Sequence, residues 1–346
     1  MKTEHILITN AAEQQAALAQ AAALIRAGEL VVFPTETVYG LGADATSEAA
    51  VRGIYAAKGR PSDNPLIIHI ATPEDAERYA VTNKTYYKLA EKFMPGPLTV
   101  ILPKRESVPA IVTGGLDTVA VRCPAHPVAR ALIEKAGVGI AAPSANLSGR
   151  PSPTTAAHAA EDLDGRVAMI LDGGEAEVGL ESTIVALDGD VGTLLRPGAV
   201  TYDALCCVCR EVKVAPAVLE RLAENERPLS PGMKYRHYAP RAALTLLDGE
   251  KNDVLAYLKT LTTDKNIGIL CYDEEIPLLQ GAAHLFPIGG EHDLKAQAHR
   301  LFAVLREVDE YADITAVFAH LPPREGLGLA LYNRSIRAAA HTVKKL

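Results

Sequence analysis

The sequence predicts an α/β protein of two domains joined by a proline-bounded linker, and three observations carry that expectation. Its 346 residues are 48% hydrophobic, enough for a large core and for more than one compact unit. Short apolar runs alternate with segments of helical spacing in a long first block and again beyond Leu244. Between the blocks, from Val212 to Arg241, periodicity fades and Pro228, Pro231 and Pro240 punctuate a polar, aromatic run. The domains are expected at 1–211 and 242–346, with 212–241 as the linker.

The first block opens with helical spacing over Ala11–Ala27, stopped near Gly28. Leu30–Phe33 is a short strand running into Pro34-Thr35-Glu36-Thr37-Val38-Tyr39-Gly40-Leu41-Gly42. Its two glycines lack the third of a dinucleotide fingerprint, so they are expected to turn the backbone or bring it close to a ligand. A helix capped by Ser47 ends at Lys58. Helical segments follow at Pro73–Ala80 and Thr85–Phe93, the second stopped by Met94-Pro95-Gly96-Pro97. Leu98–Leu102, Thr118–Cys123, Gly139–Ala142, Ala168–Leu171, Ser182–Leu187 and Thr193–Leu195 read as strands, with helices at His126–Lys135 and Tyr202–Arg210. In the second block the strands are Leu244–Leu247, Ile267–Cys271, His284–Pro287 and Ile314–Phe318. Helices fall at Asp253–Leu261 and Leu294–Ala312, and a basic helix is expected to close the chain at Asn333–Lys345. This alternation predicts a small parallel α/β domain.

Composition narrows the function. A net charge of −7 argues against a surface that binds nucleic acid throughout, and leaves room for a local basic cleft. With no Trp and 5% aromatics, a stacking platform for single strands is disfavoured. Five cysteines in unpaired spacing point to a reducing compartment without a disulfide framework. Cys206, Cys207 and Cys209 lack a second Cys/His pair to close a zinc site, and Cys123 reads as a buried strand cysteine rather than a reactive thiol. The N-terminus has no basic stretch followed by an apolar core, and no apolar run reaches membrane-spanning length, so a cytoplasmic protein is expected.

The chemistry gathers at Ala57–Ile70, AKGRPSDNPLIIHI, where Pro61 and Pro65 stiffen a segment carrying Lys58, Arg60, Asn64 and His69. A point charge and a planar fork separated by one glycine suit a polyphosphate. Other predicted strand exits add Thr35 and Thr37, Arg122, Ser144 and Asn146, and Arg196. The run from Pro143 to Thr155 is almost free of bulky side chains and is pinned by three prolines, as a binding loop requires. If these exits line one crevice, it offers cations among hydroxyl and amide donors, and hence an anionic ligand. There is no G-x-x-x-x-G-K-[ST] loop, no H-E-x-x-H and no recognisable Ser-His-Asp nucleophile.

The blocks PTETVYGLG (34–42), KGRPSDNPL (58–66), PGPLTVIL (95–102), VAVRCP (119–124), APSANLSGRPSPT (142–154), ESTIV (181–185) and LRPG (195–198) resemble the YrdC-domain family. SPGMKYRHYAP (230–240) and the trailing α/β domain are similar to its longer, two-domain form. The resemblance implies a YrdC-like twisted open mixed sheet with a concave basic cleft, plus a smaller Rossmann-like C-terminal domain. It implies a nucleotidyltransferase that makes threonylcarbamoyl-AMP and pyrophosphate from L-threonine, bicarbonate or CO2, and ATP, for N6-threonylcarbamoyladenosine modification of tRNA. By the same resemblance Lys58, Arg60, Asn64, Thr118, Ser144, Asn146, Ser152 and Arg196 go to ATP, with Lys58 and Arg60 as the catalytic pair. Thr35, Thr37, His69, Arg122, Ala142 and Ser182 go to L-threonine. Tyr235 and Tyr238 of the linker are expected to close over the nucleotide as a lid. Mg²⁺ is expected to travel with the phosphates rather than in a protein cage. The implied partners are a downstream tRNA-modifying transferase complex and, weakly, tRNA itself, with no membrane. Two alternatives use the same arginines: a non-catalytic groove for double-stranded RNA or tRNA, and a carbamoyl-transfer maturation factor with acylphosphatase and zinc-finger modules, for which this chain has no sequence.

Overall fold

The structure is a computed structural model that describes residues 2–8, 11–220, 230 and 238–346. The chain divides into two compact units, Met1–Ser148 with Ser152–Lys234, and Gly149–Pro151 with Tyr235–Leu346.

The first unit is built on strands β1 (Glu4–Leu7), β2 (Val31–Phe33), β3 (Gly40–Asp44), β4 (Ile67–His69), β5 (Leu98–Pro103), β6 (Thr118–Arg122), β7 (Ile140–Ala142), β8 (Met169–Asp172), β9 (Thr183–Asp188), β10 (Val191–Arg196) and β11 (Glu211–Val214). They pair in the order β1-β8-β2-β3-β7-β4-β6-β5-β9-β10-β11, a mixed sheet. Its helices are α1 (Ala11–Arg26), α2 (Glu48–Lys58), α3 (Lys84–Phe93), α4 (Pro127–Ala136), α5 (Ala156–Leu163) and α6 (Tyr202–Cys206). Leu18 and Ile25 of α1 and Leu132 of α4 join Phe33, Ile140 and Met169 in one buried core, while Ile67, Ile101, Ala120, Ile184 and Leu195 form another. The edge strands β1 and β11 are short runs that the apolar pattern did not mark, and β11 carries the sheet past Val212.

The second unit contains β12 (Ala243–Asp248), β13 (Ile267–Cys271), β14 (His284–Pro287), β15 (Ala316–His320) and β16 (Val343–Lys345), with α7 (Lys251–Leu261), α8 (Leu294–Val308) and α9 (Gly328–Ala338). Every strand pair is parallel, in the order β14-β13-β15-β12-β16, as the strand–helix alternation predicts. Val254 and Leu258 of α7 pack with Leu247, Ile269, Cys271 and Leu279.

Several elements depart from the expectation. The closing helix begins and ends earlier than Asn333–Lys345 and gives way to β16, because Ala340 and His341 take left-handed φ of 48° and 65° that no helix continues through. Its arginines 334 and 337 are buried rather than displayed on a basic face. The strand expected at Ile314–Phe318 forms two residues later, and Pro73–Arg78 is a 3-10 turn. Gly40 and Gly42 do not turn the chain. They lie within β3 beneath the Phe33 ring, and a Cβ on Gly42 would sit 2.7 Å from Ile140 and 2.8 Å from Phe33.

The strand exits also point two ways. Pairing sets β5, β7, β8 and β9 in the direction of β2, and β3, β4, β6, β10 and β11 against it. Thr35, Thr37, Ser144 and Asn146 therefore leave one edge of the sheet, while His69, Arg122 and Arg196 end strands at the other. The two edges still meet because β2, β4 and β7 have three residues each, only about 10 Å of chain.

Gly42→Ala should therefore destabilise the first unit by about 1–3 kcal/mol through overpacking. A lower urea midpoint at unchanged slope would register it.

Candidate active site

The nucleotide-assigned residues are placed by α2. Ser47 caps it by accepting from the Ala50 N–H, and Gly59 ends it in the left-handed region at φ 62°, with its N–H on the Ala56 and Tyr55 carbonyls. Lys58 is thereby brought to the exit of β7, where Nζ donates to the carbonyls of Ser144 at 2.6 Å and Asn146 at 2.5 Å, and more weakly to Asn146 Oδ1 at 3.4 Å. Ser144 Oγ donates to the same Oδ1. Lys58 as a whole is only 4% exposed, and these bonds meet its ammonium with carbonyl dipoles. Arg60 donates to the carbonyls of Asn64 (2.9 Å) and Pro65 (3.1 Å) and lies over the Tyr55 ring, so it holds its own loop closed. A cavity of about 440 Å³ opens beside it, lined by Arg52, Tyr55, Gly59, Pro61 and Ser62 among others. Asn64 is fully buried, and neither of its amide atoms has a hydrogen-bond partner among the described residues. An unsatisfied buried amide costs roughly 1–3 kcal/mol, and a ligand would relieve that cost. Thr118 starts β6 on this same edge.

Of the threonine-assigned residues, His69, Arg122 and Ser182 lie at the other edge, while Thr35, Thr37 and Ala142 share the edge of Ser144 and are tied across by Glu36. Thr35 Oγ1 donates to the Val38 carbonyl at 2.6 Å and accepts from the N–H groups of Thr37 and Val38, a closed turn. The Thr37 hydroxyl, 2.9 Å from Thr35 Oγ1, must then be the donor of that pair, and it keeps its own acceptor positions. Between them, Glu36 takes Nη2 of Arg122 at 2.7 Å and the N–H of Ala125 at 3.0 Å, while Arg122 Nε donates to Gly96. Both members are buried, at 4% and 7% side-chain exposure. Burial works against the Glu36 carboxylate, but the charge and donor of Arg122, helped by the Ala125 N–H, hold it below the usual carboxylate range. Ser182 Oγ lies 2.7 Å from Thr99 Oγ1, and Arg196 donates to both the Ser182 carbonyl and its hydroxyl. Ser152 donates to buried Glu181 at 2.6 Å. Arg196 and Ser152, both assigned to ATP, thus sit with the Glu181-Ser182 segment. Ala142 ends β7, facing Ile67 of β4.

The two ends are one network. Tyr39 donates its N–H to the Pro153 carbonyl and accepts from Ala145, Leu41 donates to Pro143, and Val178 donates to the Glu36 carbonyl. The loop 34–39 is thus stitched to the small-residue loop after β7 and, through Glu36, to β6.

His69 is packed in. The residue is 4% exposed, its ring edge-on to Phe33 at 5.9 Å, with Nδ1 3.2 Å from the Ile67 carbonyl. Burial first, then the neighbouring Arg122, push its pKa down to about 3. It is neutral at physiological pH and suits a packing or positioning role better than that of a free base. Cys123 is buried, donates to Ala71, and is pushed up to about 11, as a structural thiol should be. Among the described residues no cluster of three His, Cys, Asp or Glu could hold a metal. Tyr235 lies outside the described residues; Tyr238 is buried, its ring 5.0 Å from Phe302. Sequence reasoning missed Glu36, Thr99 and Glu181. The available signal was a lone acid in an otherwise uncharged loop after a strand, and an acid directly before Ser182.

The depressed His69 pKa has a consequence for stability. The unfolded imidazole binds a proton below about 6.5 and the folded one only near 3. Stability is therefore complete above the unfolded value and is lost as pH falls from about 6.5 toward 3, by up to about 1.4 kcal/mol per pH unit. In denaturant melts from pH 7 to 4, His69→Gln should flatten that decline relative to the unmodified chain.

Comparisons with known proteins agree with this architecture. A family model described as telomere recombination matches residues 23–198, and one described as the threonylcarbamoyl-AMP synthase C-terminal domain matches 200–340. The threonylcarbamoyl-AMP synthase of Bacillus subtilis is 44% identical over 329 residues, covering 94% of each chain. That of Pyrococcus abyssi is 44% identical over 335 residues, covering 94% of this chain and 95% of the other. The crystal structure of P. abyssi Sua5 complexed with L-threonine superposes with a TM-score of 0.90 at 41% identity over the whole of both chains. With both units covered by these matches, the chain belongs to the two-domain threonylcarbamoyl-AMP synthase family.

Proposed function

We propose that this enzyme forms threonylcarbamoyl-AMP by joining two anions across the short central strands, the nucleotide at the Lys58 end and the amino acid at the Arg122 end. The observation that carries the reading is the pairing of two buried cationic ends, Lys58 on the β7 exit and Arg122 on the β6 exit, within one hydrogen-bonded network.

L-threonine's neutral amine attacks CO2, the carboxylated nitrogen loses a proton, and a carbamate oxygen then attacks the α-phosphorus of ATP as pyrophosphate leaves. The amine's pKa is on the order of 8, so a neutral fraction exists near pH 7 without a strong base. That fits a His69 held neutral and enclosed. Lys58, Arg60, Asn64, Thr118, Ser144 and Asn146 serve the nucleotide, with Mg²⁺ entering as part of the substrate on its phosphates. Arg122 takes the threonine carboxylate, Thr37 and Ser182 its other polar groups, and Arg196 stands where the two substrates approach. Alignment of two like charges and neutralisation of their repulsion supply the catalysis. The product is a reactive mixed anhydride, so the reading carries a downstream tRNA-modifying transferase, weak contact with tRNA, and a cytoplasmic location.

Pyrophosphate release should require both L-threonine and bicarbonate, with L-serine much poorer and mass detection of the adenylate. Release without threonine, or none, would contradict the reading. Lys58→Ala should lower kcat/KM for ATP by about 10- to 150-fold, the worth of one charge-assisted hydrogen bond of roughly 1.5–3 kcal/mol.

A further inference from the structure

We infer that Glu36 is a positioning residue for the amino-acid carboxylate, acting through Arg122, and that it sets the enzyme's preference for an α-carboxylate. The inference rests on the assignment of Arg122 to threonine made above. A guanidinium offers five N–H groups in a planar fork. Here Nε is engaged by Gly96 and Nη2 by Glu36, the two nitrogens of one edge. Nη1 has no partner among the described residues. The Nη1–Nη2 edge is thereby the one presented to a ligand, and its two parallel N–H bonds match a carboxylate bidentately. Without Glu36, the fork could rotate about its last torsions and present either edge.

Glu36 is itself immobilised at three points. Its second oxygen accepts from Ala125, its carbonyl accepts from Val178, and its neighbours Thr35 and Thr37 are locked in their own turn. One tripeptide therefore sets both the carboxylate fork and the Thr37 hydroxyl. The charge paired with the fork is Glu36, and the neighbouring His69 is neutral.

The test compares L-threonine with L-threoninamide, which lacks the carboxylate, in Glu36→Gln, Glu36→Asp and Arg122→Met. Glu36→Gln should raise KM for L-threonine tenfold or more, leave KM for ATP within about twofold, and leave threoninamide affinity unchanged, so that the preference for the acid collapses. Glu36→Asp keeps the charge but withdraws it by one methylene. It should lose the same preference severalfold, and it is the variant to read if the glutamine form does not fold. Equal losses for acid and amide, or an unchanged threonine KM in the folded variant, would overturn the role of Glu36. If Arg122→Met also left the threonine KM unchanged, the assignment of Arg122 itself would fall; if Arg122→Met raised it and the Glu36 variants did not, only the present inference would.

Discussion

The site depends on one buried ion pair, Glu36 with Arg122. Taken singly, either charge would be intolerable at such burial, and breaking a pair of this kind costs on the order of 3–5 kcal/mol. Replacing both by apolar groups would cost far less, so the pair is poor evidence for stability and better evidence for placement. It ties the loop after β2 to the end of β6, strands that stand four positions apart in the sheet. Tyr39 and Leu41 of the same stretch bond to Ala145, Pro153 and Pro143, which joins the small-residue loop to it through backbone bonds of their own. Lys58 then clasps the loop from the other side.

Strand length explains why a mixed sheet can host this chemistry. Open parallel sheets put ligands at one edge, where all the carboxyl ends point. Here β2 and β7 run against β4 and β6, so the functional groups leave opposite edges. Three-residue strands leave only about 10 Å of chain between those edges. Longer central strands would separate the Lys58 and Arg122 charges.

Most of the candidate site was legible in the motif blocks because each is a compact run of unusual residues. Lys58 between a Ser47 cap and a Gly59 stop, the hydroxyl-rich loop after β7, and the strand ending in Arg122 all carried local signals, and the structure buries nearly all of them. What escaped notice is non-local. Glu36 and Arg122 are 86 residues apart, and nothing in the alternation of PTETV distinguishes its acid from a solvated one. Gly40 and Gly42 looked like turn residues because their need for space comes from Phe33 on the neighbouring strand. The closing helix was overrun because Ala340 and His341 adopt left-handed φ without a glycine to announce it. In the second unit, alternation was enough to identify a parallel sheet, since every strand there is separated from the next by a helix or a helical turn.

The most direct test of the account is a crystal structure of this chain with L-threonine and a non-hydrolysable ATP analogue bound together. The account predicts the amino-acid carboxylate on the Nη1–Nη2 edge of Arg122, with Glu36 still on Nη2 and the triphosphate at the Lys58 end. A carboxylate bound elsewhere, or a Glu36 that leaves Arg122 when threonine enters, would contradict it.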